Sequence, residues 1–206
     1  MSATSETEIA NLALSRVGEK EEITDLAMAN SLAAKQCKLH YARVRNALLR
    51  SHPWNFAVKR VALAATTTTP AFEYAYEYTL PSDCLKVIRT SWEATGWTTR
   101  DTLWAGWDDY IAYRIEGRKL LANESACSIE YIAEITDPAQ FDELFTEALS
   151  FKLALAVAPA LTNNRSLIET LNQQAELAVL EARTVDAQEG SARDVVDDTT
   201  FVRARF

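Results

Sequence analysis

The segment Ala27–Arg60 reads AMANSLAAKQCKLHYARVRNALLRSHPWNFAVKR, and its second half is the point about which the chain turns. Ala33, Cys37, Tyr41, Val44 and Leu48 recur every three or four residues. That spacing places them on one face of a long helix. Lys35, Lys38, Arg43, Arg45 and Arg50 fall between them and are expected on a solvated or subunit-contacting face, tracking of DNA phosphates being the alternative. Pro53 ends the pattern, because a proline pushes the residue before it out of the α region. Trp54 and Phe56 follow at once, where their rings can cover the helix end. Val58-Lys59-Arg60 then reads as the start of a strand. His52, Pro53, Trp54, Asn55 and Phe56 are therefore expected to form a packing motif at the junction of a helical body and a β element.

Working outward toward the N-terminus, Ser5-Glu6-Thr7-Glu8 has the form of a capping box. Ile9, Leu12, Ala13 and Val17 line one face behind it, and Gly18 is suited to the left-handed residue that closes a helix. The first helix is predicted from Glu6 to Val17. Glu19 to Asp25 is a charged connection, with Asp25 expected to cap the second helix.

Toward the C-terminus the period changes to two. Val58–Leu63 and Leu85–Arg89 are strand-like, and Tyr74, Tyr76 and Tyr78 alternate with Ala75 and Glu77. Leu80-Pro81-Ser82-Asp83 is a turn. Tyr110 to Ile115, a turn at Glu116-Gly117 and Lys119 to Leu121 make a hairpin. In Ser128–Ile135, Ile129, Tyr131 and Ala133 alternate with Glu130 and Glu134. Five or six short strands are expected, in a mostly antiparallel sheet or small barrel. Asp137-Pro138-Ala139-Gln140 then starts a helix, with Asp as cap and Pro at its first position. Phe141, Leu144, Phe145, Ala148, Phe151 and Leu155 are its stripe, and Pro159 closes or kinks it. Thr162 or Asn163 is expected to cap a last helix with the stripe Leu167, Leu171, Ala175, Ala178, Ala182 and Val185. After Ala187 the periodicity stops.

The predicted fold is thus α+β: a bundle of about four helices carrying an inserted antiparallel sheet or small barrel, with an extended C-terminal arm. The helical body takes residues 1–57 and 136–187, the β insertion 58–135, and the arm 188–206.

At 206 residues, with 48% hydrophobic and 24% charged residues, the composition is that of a globular protein with an ample core. The formal charge of −8 argues against wholesale nucleic-acid binding, which favours basic chains. No run of eighteen apolar residues occurs, so no membrane span and no membrane partner is expected. The first residues lack the basic and apolar regions of a signal peptide, so cytosolic synthesis is expected. Three cysteines, Cys37, Cys84 and Cys127, and two histidines give no zinc spacing. The cysteines read as small buried hydrophobes.

Phosphate loops, HExxH and GxSxG are absent from the sequence. Cys37 and His40 lie one helical turn apart and could pair as nucleophile and base, but a core thiol beside an edge histidine is the simpler reading. Asp108-Asp109 and Asp197-Asp198 could serve as acid/base or metal pairs, though adjacent loop carboxylates are more often solvated. No catalytic residue, cofactor or metal site is therefore expected. Trp92, Trp97, Trp104 and Trp107 crowd a polar stretch, and Trp97 and Trp104 are read as an assembly interface. A sugar-stacking surface is the alternative. The end of the arm alternates Phe201, Val202 and Phe206 with Arg203 and Arg205. An extended chain would put apolar and basic groups on opposite sides, which suits insertion into a partner.

The string HPWNFAVKR at His52–Arg60 resembles the tail tubular protein A family of short-tailed phages, the head-to-tail adaptors. So do ALSRVGE at Ala13–Glu19, the Cys37…Tyr41…Arg45 helix and LPSDCL at Leu80–Leu85, in the same order along most of the chain. The resemblance implies a virion protein in the neck of the tail, assembled in the host cytoplasm. It implies a homo-oligomeric, dodecameric ring between the portal protein and a tubular B-like tail nozzle, with DNA passing through the lumen without specific binding. Phe201, Val202, Arg203, Arg205 and Phe206 would then bind the portal. An acidic channel suits that role, since it should not grip phosphates. The rival expectation is a virion-associated cell-wall or polysaccharide hydrolase, or a glycan-binding module.

Overall fold

The computed structural model describes residues 5–20, 22–91 and 113–189. Among the described residues, four helices and six strands form an α+β fold. Helix α1 spans Glu6–Val17. Ser5 Oγ accepts from the Glu8 amide and the Glu8 carboxylate accepts from the Ser5 amide, so the expected capping box is present. Gly18 closes the helix at φ +91°, a backbone conformation that costs glycine nothing and a side chain about 1 kcal/mol or more.

Helix α2 spans Leu32–Ser51 and is capped by Ser31, not by Asp25. Asp25 instead caps its own turn, accepting from the Ala27 amide on its side chain and from the Ala29 amide on its carbonyl. Two capping residues six positions apart compete, and the turn at Asp25 takes the first. His52 leaves the helix in an extended conformation, and a single 3₁₀ turn at Asn55–Ala57 delivers the chain into the first strand.

The strands are β1 Val58–Leu63, β2 Tyr76–Thr79, β3 Cys84–Ser91, β4 Arg114–Glu116, β5 Lys119–Ala122 and β6 Cys127–Ala133. They form two antiparallel three-stranded sheets, β1-β6-β3 and β2-β5-β4, where a single sheet or a barrel was expected. β6 is the central strand of the first sheet. Its residues are almost all buried rather than alternating. Glu130 is buried there and paired to Arg89 and, at 3.7 Å, to Arg60 on the two flanking strands. In β2 the predicted alternation also fails, because Glu77 is buried beside Tyr78. Lys119 reaches the Glu77 carboxylate at 2.9 Å and Thr66 donates to it, so the buried charge is compensated. Gly117, at φ +60°, makes the turn between β4 and β5.

Asp137 caps only a 3₁₀ turn at Pro138–Gln140. Helix α3, Glu143–Leu161, starts one turn later on Asp142, whose carboxylate accepts from the Leu144 and Phe145 amides. Pro159 lies inside its last turn without ending it. Helix α4, Arg165–Gln188, is capped by Asn164 rather than Thr162 or Asn163. Thr162 accepts from the Asn164 amide and so turns the chain instead.

Helix α3 is the axis of the body. It packs against α1, α2 and α4, while α1 and α2 touch each other little. Accordingly it has no single stripe: Phe145, Ala148, Leu149, Leu153, Ala154, Val157 and Ala158 are buried all round it, whereas Leu144, Phe151 and Leu155 are only half-buried. It is also long and apolar enough to cross a membrane by length and composition. A helix surrounded by three others needs the same composition. Arg16 fastens α1 to it, pairing with Glu147 at 2.6 Å and lying over the Phe151 ring at 3.4 Å. On α4 only Leu171, Ala175, Val179 and Ala182 are buried. Val185, assigned to the stripe, is 39% exposed.

Candidate docking site at the helix–strand junction

Pro53 stops α2, and the chain then doubles over its end. The indole of Trp54 is 1% exposed, and its Nε1 donates to the Leu48 carbonyl at 3.0 Å. That carbonyl belongs to the last turn of α2, where helical partners run out. The Trp54 ring meets Phe145 edge-on at 5.1 Å and His52 at 4.9 Å, and Phe56 meets Phe141 and Phe145. The motif thus joins α2 to α3 through aromatic contacts.

A second set of contacts joins it to α4. One oxygen of Asp186 lies 3.1 Å from His52 Nε2, and the other accepts from the Asn55 amide at 2.9 Å. The Asp186 carbonyl accepts from the Asn55 side-chain amide at 2.7 Å. His52, Trp54, Asn55 and Phe56 are therefore fixed between α3 and α4. A shallow pocket opens beside them, lined by Pro53, Asn55, Val58, Arg60, Ile88 and Glu130.

Below the junction lies a groove of about 830 Å³ between α2 and α4, with α3 as its floor. Its apolar walls are Val44, Leu48, Val179 and Leu180, and Leu180 is 63% exposed. Arg43, Lys152 and Arg183 line it, together with His40 and one carboxylate, Glu176. None of the three cations has an acidic partner among the described residues, and Arg183 Nε is buried without an acceptor there.

Arg45, expected on a solvated or subunit-contacting face, is instead buried within the subunit at 5% exposure. It reaches Glu134 at 3.0 Å and Glu6 at 3.5 Å, and Asn46 donates to the same Glu134 oxygen at 2.8 Å. One guanidinium thereby ties α2 to α1 and to the chain leaving β6. Asp83 does similar work in the strands, accepting from Lys59 at 2.9 Å and from the Tyr131 hydroxyl at 3.1 Å. Burial pushes the Asp83 carboxyl up, but those hydrogen bonds and the Lys59 charge outweigh it and hold it below its ordinary value. Tyr131 moves up to about 12, through burial and its bond to Asp83.

The thiols are poorly placed to act as nucleophiles. Burial pushes the Cys37 thiol up to about 11 and the Cys127 thiol to about 12, away from the thiolate that a nucleophile requires. All three cysteines are buried and free. No group of three or more His, Cys, Asp or Glu residues placed to hold a metal occurs among the described residues. Trp97 and Trp104, Asp108, Asp109, Asp197 and Asp198, and the arm residues Phe201, Val202, Arg203, Arg205 and Phe206 lie outside the described residues.

Sequence reasoning missed Asp186, Arg45 and the groove. Asp186 sits 131 residues from Asn55, and no local pattern marks such a partner. Arg183 and Leu180, side by side on a helix of otherwise modest apolarity, were the available signal for the groove. Compared with protein-family models and with curated sequences, the chain matches none.

Proposed function

We propose that this chain is a head-to-tail connector subunit of a short-tailed phage, a structural protein that joins its own copies in a ring between portal and tail nozzle and does no catalysis. The observation that carries the reading is the string HPWNFAVKR at His52–Arg60, which resembles the adaptor family and folds as the knot between helices and strands. A connector must transmit force from one neighbour to the next without deforming. A tryptophan locked under a helix end, with Asp186 holding three groups of the knot, supports that demand. The raised thiols of Cys37 and Cys127 agree with a role without nucleophilic chemistry.

In this reading the Phe201–Phe206 end binds the portal and the rest of the chain forms the ring. Deleting Phe201–Phe206 is expected to shift the melting temperature of the free subunit little and to reduce its attachment to portal rings sharply, read by co-sedimentation. A truncated subunit that attaches normally would move the docking surface to the helices.

A further inference from the structure

The groove between α2 and α4 has an apolar wall, three cations and no occupant among the described residues. From these features we infer that it is a seat for an acidic, apolar segment of this same chain, Asp194-Val195-Val196-Asp197-Asp198. The inference concerns the free subunit and does not depend on the connector reading.

Three observations carry it. First, charge: the segment has three carboxylates in five residues, and Arg43, Lys152 and Arg183 outnumber Glu176 in the groove. Arg183 Nε, buried with no acceptor among the described residues, is the kind of group whose pairing is favoured. Second, apolarity: Val195 and Val196 match the wall of Val44, Leu48, Val179 and Leu180. Third, reach: α4 ends at Gln188, and the groove residues Arg183 to Glu176 lie about 7 to 18 Å back along it at 1.5 Å per residue. The five residues Glu189–Arg193 extend to about 17 Å, so residue 194 can return to the groove of its own subunit. The groove residues nearest that end, Ser51 and Arg183, lie beside the His52–Asp186 contact, so a returning segment would enter past the junction itself. Such a seat would hold the root of the arm against the body while leaving Phe201–Phe206 free to reach outward.

The test uses the full chain with Val196→Cys and Ala47→Cys, the latter an exposed position lining the groove. The native cysteines are free and buried, and the peptide map separates any disulfide they form from the 47–196 one. After oxidation in a glutathione buffer, peptide mapping measures the 47–196 disulfide in the monomer fraction from gel filtration. A control pairs Val196→Cys with Glu181→Cys, at the same level of α4 but outside the groove lining. The expected result is about tenfold more disulfide at 47 than at 181, reduced about fivefold by Arg43→Glu or by Asp197→Lys with Asp198→Lys, as charge-assisted contacts of partly exposed groups would give. Equal yields at 47 and 181, a yield insensitive to both charge reversals, or a disulfide found only between chains would each overturn the proposal.

Discussion

Trp54 shows what a single residue can do when its backbone neighbour is a proline. Pro53 ends the helix, and the Leu48 carbonyl in its last turn accepts from the Ser51 hydroxyl at 2.6 Å and from the indole N–H at 3.0 Å. The same ring fills the space against Phe145. Truncating it removes both, and Trp54→Ala is expected to lower unfolding stability by about 3–5 kcal/mol, read from urea melts. Asp186→Ala should cost less, about 1–3 kcal/mol, since it leaves the Asn55 amide and His52 without their acceptor. Finding Trp54→Ala no less stable than the parent would remove the packing role of the motif. This part of the junction was legible in the sequence because its causes are local: the proline, the aromatic pair and the change of period lie within ten residues. Asp186 was not legible, because a partner 131 residues away is chosen by the fold and leaves no mark on its own neighbours.

At the scale of elements, the misreadings of β6 and α3 share one cause: an element surrounded on all sides does not show one face. β6 was read as alternating, yet as the central strand it buries Ile129, Glu130, Tyr131, Ile132 and Ala133 in succession. α3 was given a single stripe, yet it is enclosed by three helices. Arg45 was counted among solvated cations because charged residues are rarely buried. It is buried because Glu134, Glu6 and Asn46 gather around it. The partners are themselves partly exposed, at 33% for Glu134 and 45% for Glu6, so the pair is screened and its loss should be moderate. Arg45→Ala is expected to cost about 1–3 kcal/mol, and Arg45→Ala with Glu134→Ala less than the sum of the two single changes. Additive effects in that cycle would show that the ion pair does not couple α2 to β6. Caps, by contrast, were assigned too early, at Asp25 where Ser31 caps α2 and at Asp137 where Asp142 caps α3. In each case the aspartate caps a short turn that precedes the helix, and sequence cannot tell a turn that propagates from one that stops.

At the scale of the whole molecule, burial among the described residues makes several thiols and phenols hold their protons into the alkaline range. Burial raises the thiols of Cys37, Cys84 and Cys127 and the hydroxyls of Tyr41, Tyr78 and Tyr131 above their ordinary values. A group whose folded value is raised stabilises the fold fully below its unfolded value and loses that contribution as pH rises toward the folded one. For the thiols the window opens near 9.0 and runs to about 11 for Cys37 and about 12 for Cys127. The melting temperature should therefore fall steadily above about pH 9, and Cys37→Ala with Cys127→Ala should flatten that fall. An unchanged slope in the double variant would place the alkaline loss elsewhere. Asp83 acts with the opposite sign, since its folded value is lowered: its contribution is present above the ordinary carboxylate range and disappears in acid.

The central claim is that such bodies close into a ring on a portal. The most direct measurement is electron microscopy of the purified chain mixed with the portal protein of the same phage. The account predicts a second ring of this subunit stacked on the portal vertex and coaxial with its channel. Portal particles that remain bare, with the chain left as monomers at concentrations that saturate a connector, would contradict it.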